Sequence, residues 1–339
     1  MSQVKDFEQS ESFAHLRTYL AEPSSENWRK LLDLLDNWPE DNNELAITYA
    51  RSHLQSWPDA LKECPSLPLE ALLEKPSDWP AFQLSSSMVF CSELWFHGVE
   101  DLIYSLEHMT SLTLEENEIY ADIVKDIVCS PKMASLTSLS FIQNSVGDLG
   151  LIAIADSPHM ANLTHLKLWS CGLEDVDAII DFANSPHMGK LTHLNLGHNV
   201  LSTEAIEALV ESPYLTKLTH LDLTSCELDD EAAITIANAP TLSQLTHLNM
   251  RGCYLTRVGA EAIATSPHIS ALAYFGAGTL AYNEELTKIF ASARAFAPEL
   301  RAHYLDCLTV KELRELAAKK SLSGRSKMSK KKLVKALSV

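Results

Sequence analysis

Along the middle of the chain, apolar residues fall in one repeated order: Leu-x-x-Leu-x-Leu, a polar or cysteine position, then a further leucine. The order opens at Met109, Leu136, Leu163, Leu191, Leu218, Leu245 and, in worn form, Leu272, at spacings of 27, 27, 28, 27, 27 and 27 residues. Four copies nearly repeat the same words: LTHLKLWSCGL from Leu163, LTHLNLGHNVL from Leu191, LTHLDLTSCEL from Leu218 and LTHLNMRGCYL from Leu245. Alternation such as Leu166-x-Leu168 has the period of a short strand with one face turned inward. Stretches such as DVDAIIDFANSP and TEAIEALVESP follow, with apolar residues at i, i+3 and i+4. They predict a helix of about three turns. Ser130-Pro131, Ser157-Pro158, Ser185-Pro186, Ser212-Pro213 and Ser266-Pro267 close these helices, with Ala239-Pro240 as the variant. A residue before proline is pushed out of helical dihedrals.

Between strand and helix, Asn117, Asn144, Cys171, Asn199, Cys226 and Cys253 hold one repeat position. A buried amide there can bond to backbone groups of the turn with both its ends, a thiol more weakly. Over roughly residues 84–280 this wording resembles the leucine-rich repeat family, in its intracellular, ribonuclease-inhibitor-like class, and bacterial members often share the Ser-Pro-His and Leu-Thr-His words. The resemblance implies an α/β fold, a horseshoe solenoid with a parallel sheet on the concave side and helices on the convex side. The inhibitor's strict alternation of asparagine and cysteine repeats is absent, so its ligand is not carried over.

The flanks suggest further units. Leu84-x-x-Ser87-x-Val89-x-x-Ser92-x-Leu94 reads as a worn first repeat, followed by a helix GVEDLIYSLEH. Residues 1–83 read as a helical N-terminal capping domain, with a separate binding module as the alternative. Its signals are NWRKLLDLLDNW and three Trp-Pro pairs, at Trp38, Trp57 and Trp79, each tryptophan packing at the end of a helix that proline stops. Residues 281–306 read as a capping helix and linker, with EELTKIFASARAFAPEL placing Leu286, Ile289, Phe290, Ala293 and Ala297 on one face. Solenoid ends need such covers.

Residues 307–339 read as a basic helical hairpin. One helix places Val310, Leu313, Leu316 and Ala317 together, SLSGRSKM forms an extended loop, and a second helix carries Leu333, Val334 and Leu337. With Leu308, Leu313, Leu322, Gly324, Lys331, Leu333 and Leu337 at the matching positions, the segment resembles the SAP motif and the N-terminal helix-extended-loop-helix of Rho termination factors. That resemblance implies DNA or RNA binding, with phosphate contacts from Arg325, Lys327, Lys330, Lys331 and Lys332. No aromatic residue lies between Cys307 and Val339, so base stacking is not available and binding would be phosphate-driven and salt-sensitive.

Charge sharpens this division. The 339 residues carry 45 acids and 27 bases, a net −18, which argues against binding of nucleic acid or anionic membrane by the whole surface. Residues 1–108 hold −12, residues 109–280 hold −13, and residues 307–339 hold +8. At 46% hydrophobic the chain is too apolar to be disordered. Its 7 cysteines include no CxxC pair, which speaks against a zinc or thioredoxin-type site. The opening MSQVKDFEQSESF is acidic where a signal peptide is basic, and no apolar run approaches the ~20 residues of a membrane span. The expectation is a cytoplasmic protein with no membrane contact.

Candidate chemistry is sparse. His165, His193, His220 and His247 share one repeat position and should form a ladder on neighbouring strands about 4.8 Å apart. Such a ladder could hold a metal or sense pH. Duplication of the repeat accounts for it more simply, and no carboxylate sits regularly beside it, so no metal or cofactor is expected. His159, His187 and His268 follow Ser-Pro in the same inherited way. No GxGxxG, P-loop, HExxH or nucleophile elbow occurs, and thiols at a buried position are inert.

The varying outward positions carry more information. The candidate partner face comprises His165, Lys167, Trp169, His193, Asn195, His198, His220, Asp222, His247, Asn249, Arg251 and Tyr274. Tryptophan and arginine are the types enriched at interface hot spots. The reading is a non-enzymatic scaffold: the solenoid holds a protein partner and the tail contacts nucleic acid. The alternatives are an adaptor or host-directed effector that does not need nucleic acid, or a regulator of a small GTPase.

Overall fold

The computed structural model describes residues 10–38, 43–58, 61–62, 87–91, 109–116, 118–277, 284–293, 296 and 298–338. Strands β1 (Ser87–Cys91), β2 (Ser111–Glu115), β3 (Ser138–Ile142), β4 (His165–Trp169), β5 (His193–Asn195), β6 (His220–Asp222), β7 (His247–Asn249) and β8 (Tyr274–Gly276) pair in chain order as one parallel sheet. Between successive strands run the helices α1 (Ala121–Cys129), α2 (Gly147–Asp156), α3 (Val176–Ala183), α4 (Thr203–Glu211), α5 (Asp230–Ala237) and α6 (Arg257–Thr265). Leu112, Leu114, Leu139, Phe141, Leu166, Leu168, Leu194 and Leu196 point inward and are buried against helix residues such as Val124, Ile154, Ile179 and Ile206. This is the α/β leucine-rich-repeat solenoid: a parallel sheet on one side, helices on the other.

Two buried polar ladders tie repeat to repeat. Asn199 Oδ1 accepts from the amides of Cys171 and Leu173, and its Nδ2 donates to the carbonyls of Leu168 and Leu196. Asn144 does the same for Ile119, Leu114 and Ile142. Cys171 and Cys226 donate their thiols to the carbonyls of Phe141 and Leu196. Cys253 is only partly buried, and Asn117 lies outside the described residues.

The Ser-Pro pairs do more than stop helices. The hydroxyls of Ser157, Ser185, Ser212 and Ser266 are buried and donate to the carbonyls of Val128, Ala155, Ala183 and Ala237 in the preceding repeat. Where Ala239 stands instead, the hydroxyl of Thr241 donates to the Val210 carbonyl. The hydrogen bond is preserved though the residue supplying it has moved by two positions.

At the first repeat the register corrects the sequence alignment. Ser87, Met88 and Phe90 pair with Ser111, Leu112 and Leu114. Met88 and Phe90, rather than Ser87 and Val89, therefore stand at the leucine positions. A slip of one residue exchanges the two faces of a strand. Leu84, Leu94 and GVEDLIYSLEH lie outside the described residues.

At the far end, the single amphipathic helix expected over residues 284–300 is two: α7 (Glu284–Ser292) and α8 (Pro298–Cys307). Proline is tolerated in the first helical turn and not inside a helix, so the chain restarts at Pro298. Phe275, Phe290, Phe296 and Tyr304 cluster with ring centroids 4.8–6.0 Å apart, and the Tyr304 hydroxyl donates to the Phe275 carbonyl. Next come α9 (Val310–Lys319) and α10 (Lys330–Leu337). Their buried Leu313, Ala317, Leu333, Val334 and Leu337 belong to the same continuous core as the repeats.

Among the N-terminal residues, helices Glu11–Leu20, Ser25–Asp36 and Asn43–Leu54 build a second core from Phe13, Leu16, Trp28, Leu31, Leu35, Ala50 and Trp57. Trp38 packs against it half-buried. Trp79 lies outside the described residues.

Candidate functional site on the concave sheet

Strand register sorts the concave face into rows. A leading row runs Ser138, His165, His193, His220, His247, Tyr274, and a middle row runs Ser140, Lys167, Asn195, Asp222, Asn249, Gly276. The four imidazoles stack with ring centroids 4.0, 3.9 and 4.0 Å apart, and Tyr274 extends the stack at 5.9 Å from His247.

The threonine before each histidine sets the orientation of its ring. Thr164, Thr192, Thr219 and Thr246 each donate the hydroxyl hydrogen to the carbonyl of the equivalent threonine one repeat back, at 3.0–3.1 Å. Each Oγ1 also lies 2.8–2.9 Å from the following histidine's Nδ1. A hydroxyl has one hydrogen, and a carbonyl can only accept. Both contacts are satisfied together when Nδ1 carries the proton and donates to Oγ1. The neutral rings then present four bare Nε2 lone pairs, which lie side by side. Among the described residues no three histidine, cysteine or acidic groups are grouped to hold a metal ion.

Burial, with positive charge on His165, His220 and His247 adding to it, pushes the pKa of His193 down to about 4. Burial also lowers those of His165 and His220, with His247 and His165 adding to the effect at His220. The unfolded imidazoles titrate near ~6.5. Below that value the unfolded chain binds more protons than the folded one, so stability falls as pH falls. The ladder's contribution is therefore complete above pH ~6.5 and is lost as the pH drops to about 4 at His193. Thermal unfolding at about pH 7.5 and 5 should show a Tm loss of roughly 3–5 °C that shrinks in His193→Phe/His220→Phe, which keeps stacked rings without titrating them. Equal losses in both proteins would mean the ladder does not couple to folding.

The other candidate residues divide by what they already hold. The Oδ1 atoms of Asn195, Asp222 and Asn249 accept from the amides of Gly197, Thr224 and Arg251. Asn249 Nδ2 donates to Asp222 Oδ2 at 3.1 Å. Trp169, on the outward side of β4, lies across Gly197, where a Cβ would meet its Cδ1 at 2.9 Å. Exposed His198, with φ at 59°, packs on the same indole at 4.4 Å. Arg251 sits 5.8 Å over the Tyr274 ring. Lys167 has no hydrogen bond or ion pair among the described residues.

One group that the sequence presents only as an ordinary outward strand position, outside the candidate face, stands out in the structure. Ser140, at 8% exposure, is buried in the concave floor, and its Oγ has no hydrogen-bond partner among the described residues. A groove of about 520 Å³ includes Ser140, Lys167 and the ladder in its lining. Sequence offered no signal for Ser140, since serine at a strand position is ordinary; Thr-His recurrence was the available signal for the proton arrangement. Burial pushes the thiols of Cys171 and Cys226 up to about 12, which removes them as nucleophiles.

In the basic segment, Lys327, Lys331 and Lys332 are exposed and have no partner among the described residues. Arg325 Nη1 donates to the Leu322 carbonyl and Lys330 Nζ to that of Asp306. Those two candidates are partly engaged inside the chain.

The leucine-rich repeat family model matches residues 132–155, 187–210, 214–237 and 242–264. Fold and repeats together define the class of architecture: an α/β solenoid of the leucine-rich-repeat type, with the family model matching four of its repeats. Among solved structures, the chain is similar to an internalin (inlF) of Listeria monocytogenes strain 4b F2365, at 23% identity and TM-score 0.39, over 59% of this chain and 51% of that one. It thus spans about half of that internalin's length. It is also similar to a structure of the yeast Rad7 and Elc1 complex, at 12% identity and TM-score 0.45, over 94% of this chain and 88% of the other. No curated protein sequence matches the chain. Among the described residues no helix is long and apolar enough to cross a membrane.

Proposed function

We propose that the chain is an interaction scaffold whose concave sheet binds a protein partner and whose basic terminal segment contacts nucleic acid. The observation that carries the first half is the pair Lys167 and Arg251. In a chain with 45 acids and 27 bases, these two cations on the concave face keep no ion-pair partner among the described residues. Unspent charge on a concave, ring-lined surface is what an interface offers.

The second half is supported by the placement of Lys330, Lys331 and Lys332 in the first turn of α10. The helix dipole disfavours cations at that end, and a polyanion laid against them relieves the repulsion. These positions, with Arg325 and Lys327, are the phosphate contacts of this reading. Cytoplasmic placement belongs to the same reading.

Because α9 and α10 share the core, charge reversal tests the segment better than removal. Anisotropy of labelled duplex and single-stranded DNA should show binding that weakens steeply with salt and is lost in Lys327→Glu/Lys331→Glu/Lys332→Glu. Binding unchanged by that variant, or absent at low salt, leaves the adaptor reading with the segment docked on protein. On the sheet, Trp169→Ala/Arg251→Ala should abolish partner capture with unchanged circular dichroism. Undiminished capture would move the partner site off the concave face.

A further inference from the structure

The middle row is unevenly spent. From β5 onward it closes on itself, with Asn195, Asp222 and Asn249 each capping the turn that follows and Asn249 reaching back to Asp222. At β3 and β4 it does not. Ser140 and Lys167 are register partners on adjacent strands, which places their Cα atoms about 4.8 Å apart. Ser140 is more than nine-tenths buried and its hydroxyl lacks a partner among the described residues, and Lys167, its register partner, likewise has no hydrogen bond or ion pair among them.

Native chains rarely leave a buried hydroxyl unbonded, and such a group calls for a missing partner. The two groups together specify its chemistry. An ammonium can only donate, and a hydroxyl next to it is best satisfied by donating to the same group. Two donors on adjacent strands that line one groove, with one positive charge between them, match the two oxygens of a carboxylate. A phosphate would bring a second charge against His165, whose Nε2 lone pair faces outward in the tautomer that Thr164 imposes. The ladder's bare Nε2 atoms need donors instead, which the backbone N–H groups of a peptide supply. The groove, at about 520 Å³, has room for a few residues.

Resting on the concave-face reading above, we infer that Ser140 and Lys167 clamp a carboxylate side chain of an acidic, extended segment of the partner protein, whose N–H groups lie on the histidine ladder. Arg251, three strands further along the sheet, is placed for a second acidic residue of the same segment.

The test uses the full chain and three labelled dodecapeptides in which Glu, Gln or Lys alternates with Ala, read by anisotropy near neutral pH. The Glu peptide should bind at least about tenfold more tightly than either counterpart. Lys167→Met should weaken it about tenfold and Ser140→Ala about threefold. Ser140→Ala should not lower Tm, since it removes an unpaired buried hydroxyl, so its binding loss is separable from a folding loss. Equal binding of the Gln peptide, tighter binding of the Lys peptide, or no Glu-peptide binding at about 1 mM overturns the clamp. If Trp169→Ala/Arg251→Ala loses the Glu peptide while Lys167→Met and Ser140→Ala keep it, the clamp falls and the face stands. Unchanged binding in all three variants removes both.

Discussion

Replacing Asn199 with leucine should destabilise the solenoid by about 3 kcal/mol or more, as each buried polar group left unsatisfied costs on the order of 1–3 kcal/mol. Leucine matches the volume but can neither accept from the amides of Cys171 and Leu173 nor donate to the carbonyls of Leu168 and Leu196. All four lie beyond the reach of water at a 3% exposed site. Since Asn199 joins the turn after β4 to the turn after β5, the damage falls on a repeat interface, and such interfaces supply much of a solenoid's cooperativity. Asn199→Cys is the graded control. The chain itself uses cysteine at this position in Cys171 and Cys226, whose thiols donate to one carbonyl each. That variant should recover part of the loss, because it restores a donor and no amide acceptor. Denaturation followed by circular dichroism should rank wild type above Asn199→Cys above Asn199→Leu. A leucine variant within ~1 kcal/mol of wild type would show that these turn groups find other partners.

The same ladder explains why so much of the fold was legible. A period of 27 or 28 residues fixes strand, turn and helix together, and the register of the sheet follows because equivalent residues must pair. The imidazole ladder was therefore readable from Leu-Thr-His alone. Legibility ended where repetition did. At β1 the alternation fits two registers one residue apart, and pairing with β2 selects Met88 and Phe90. At residues 284–300 the helical period runs through a proline, and the period gave no reason to break there.

The candidate site was legible by row but not by state. Trp169 and Arg251 were singled out for their type, yet each already has a neighbour, Gly197 with His198 for the first and Tyr274 for the second. Ser140 and Lys167 stand out only when hydrogen bonds are counted, because a missing partner is a property of the packed chain and not of a residue type.

Deleting residues 307–339 should lower Tm by more than about 5 °C and raise binding of an apolar dye, whereas reversing Lys327, Lys331 and Lys332 should do neither. Net charge and loop spacing present this segment as an appended hairpin, but its apolar side is built into the body. Leu308, Leu313, Ala317, Leu333, Val334 and Leu337 are buried in the core shared with Phe290, Phe296 and Tyr304. Burying a large aliphatic side chain is worth on the order of 1.5–3 kcal/mol, and ordering the segment offsets a large part of that sum. Two polar ties fix the docking: Arg301 Nη1 donates to the Ser338 carbonyl at 3.1 Å, and Lys288 pairs with Glu312 at 2.9 Å. Removing the segment would uncover α8, against which α10 packs, and break the Lys288–Glu312 tie to α7, at the end where a solenoid is most exposed. A deletion variant as stable as the full chain would make the hairpin an independent module. The charge-reversal variant would then lose its advantage, and simple removal would become the cleaner test of nucleic-acid contact.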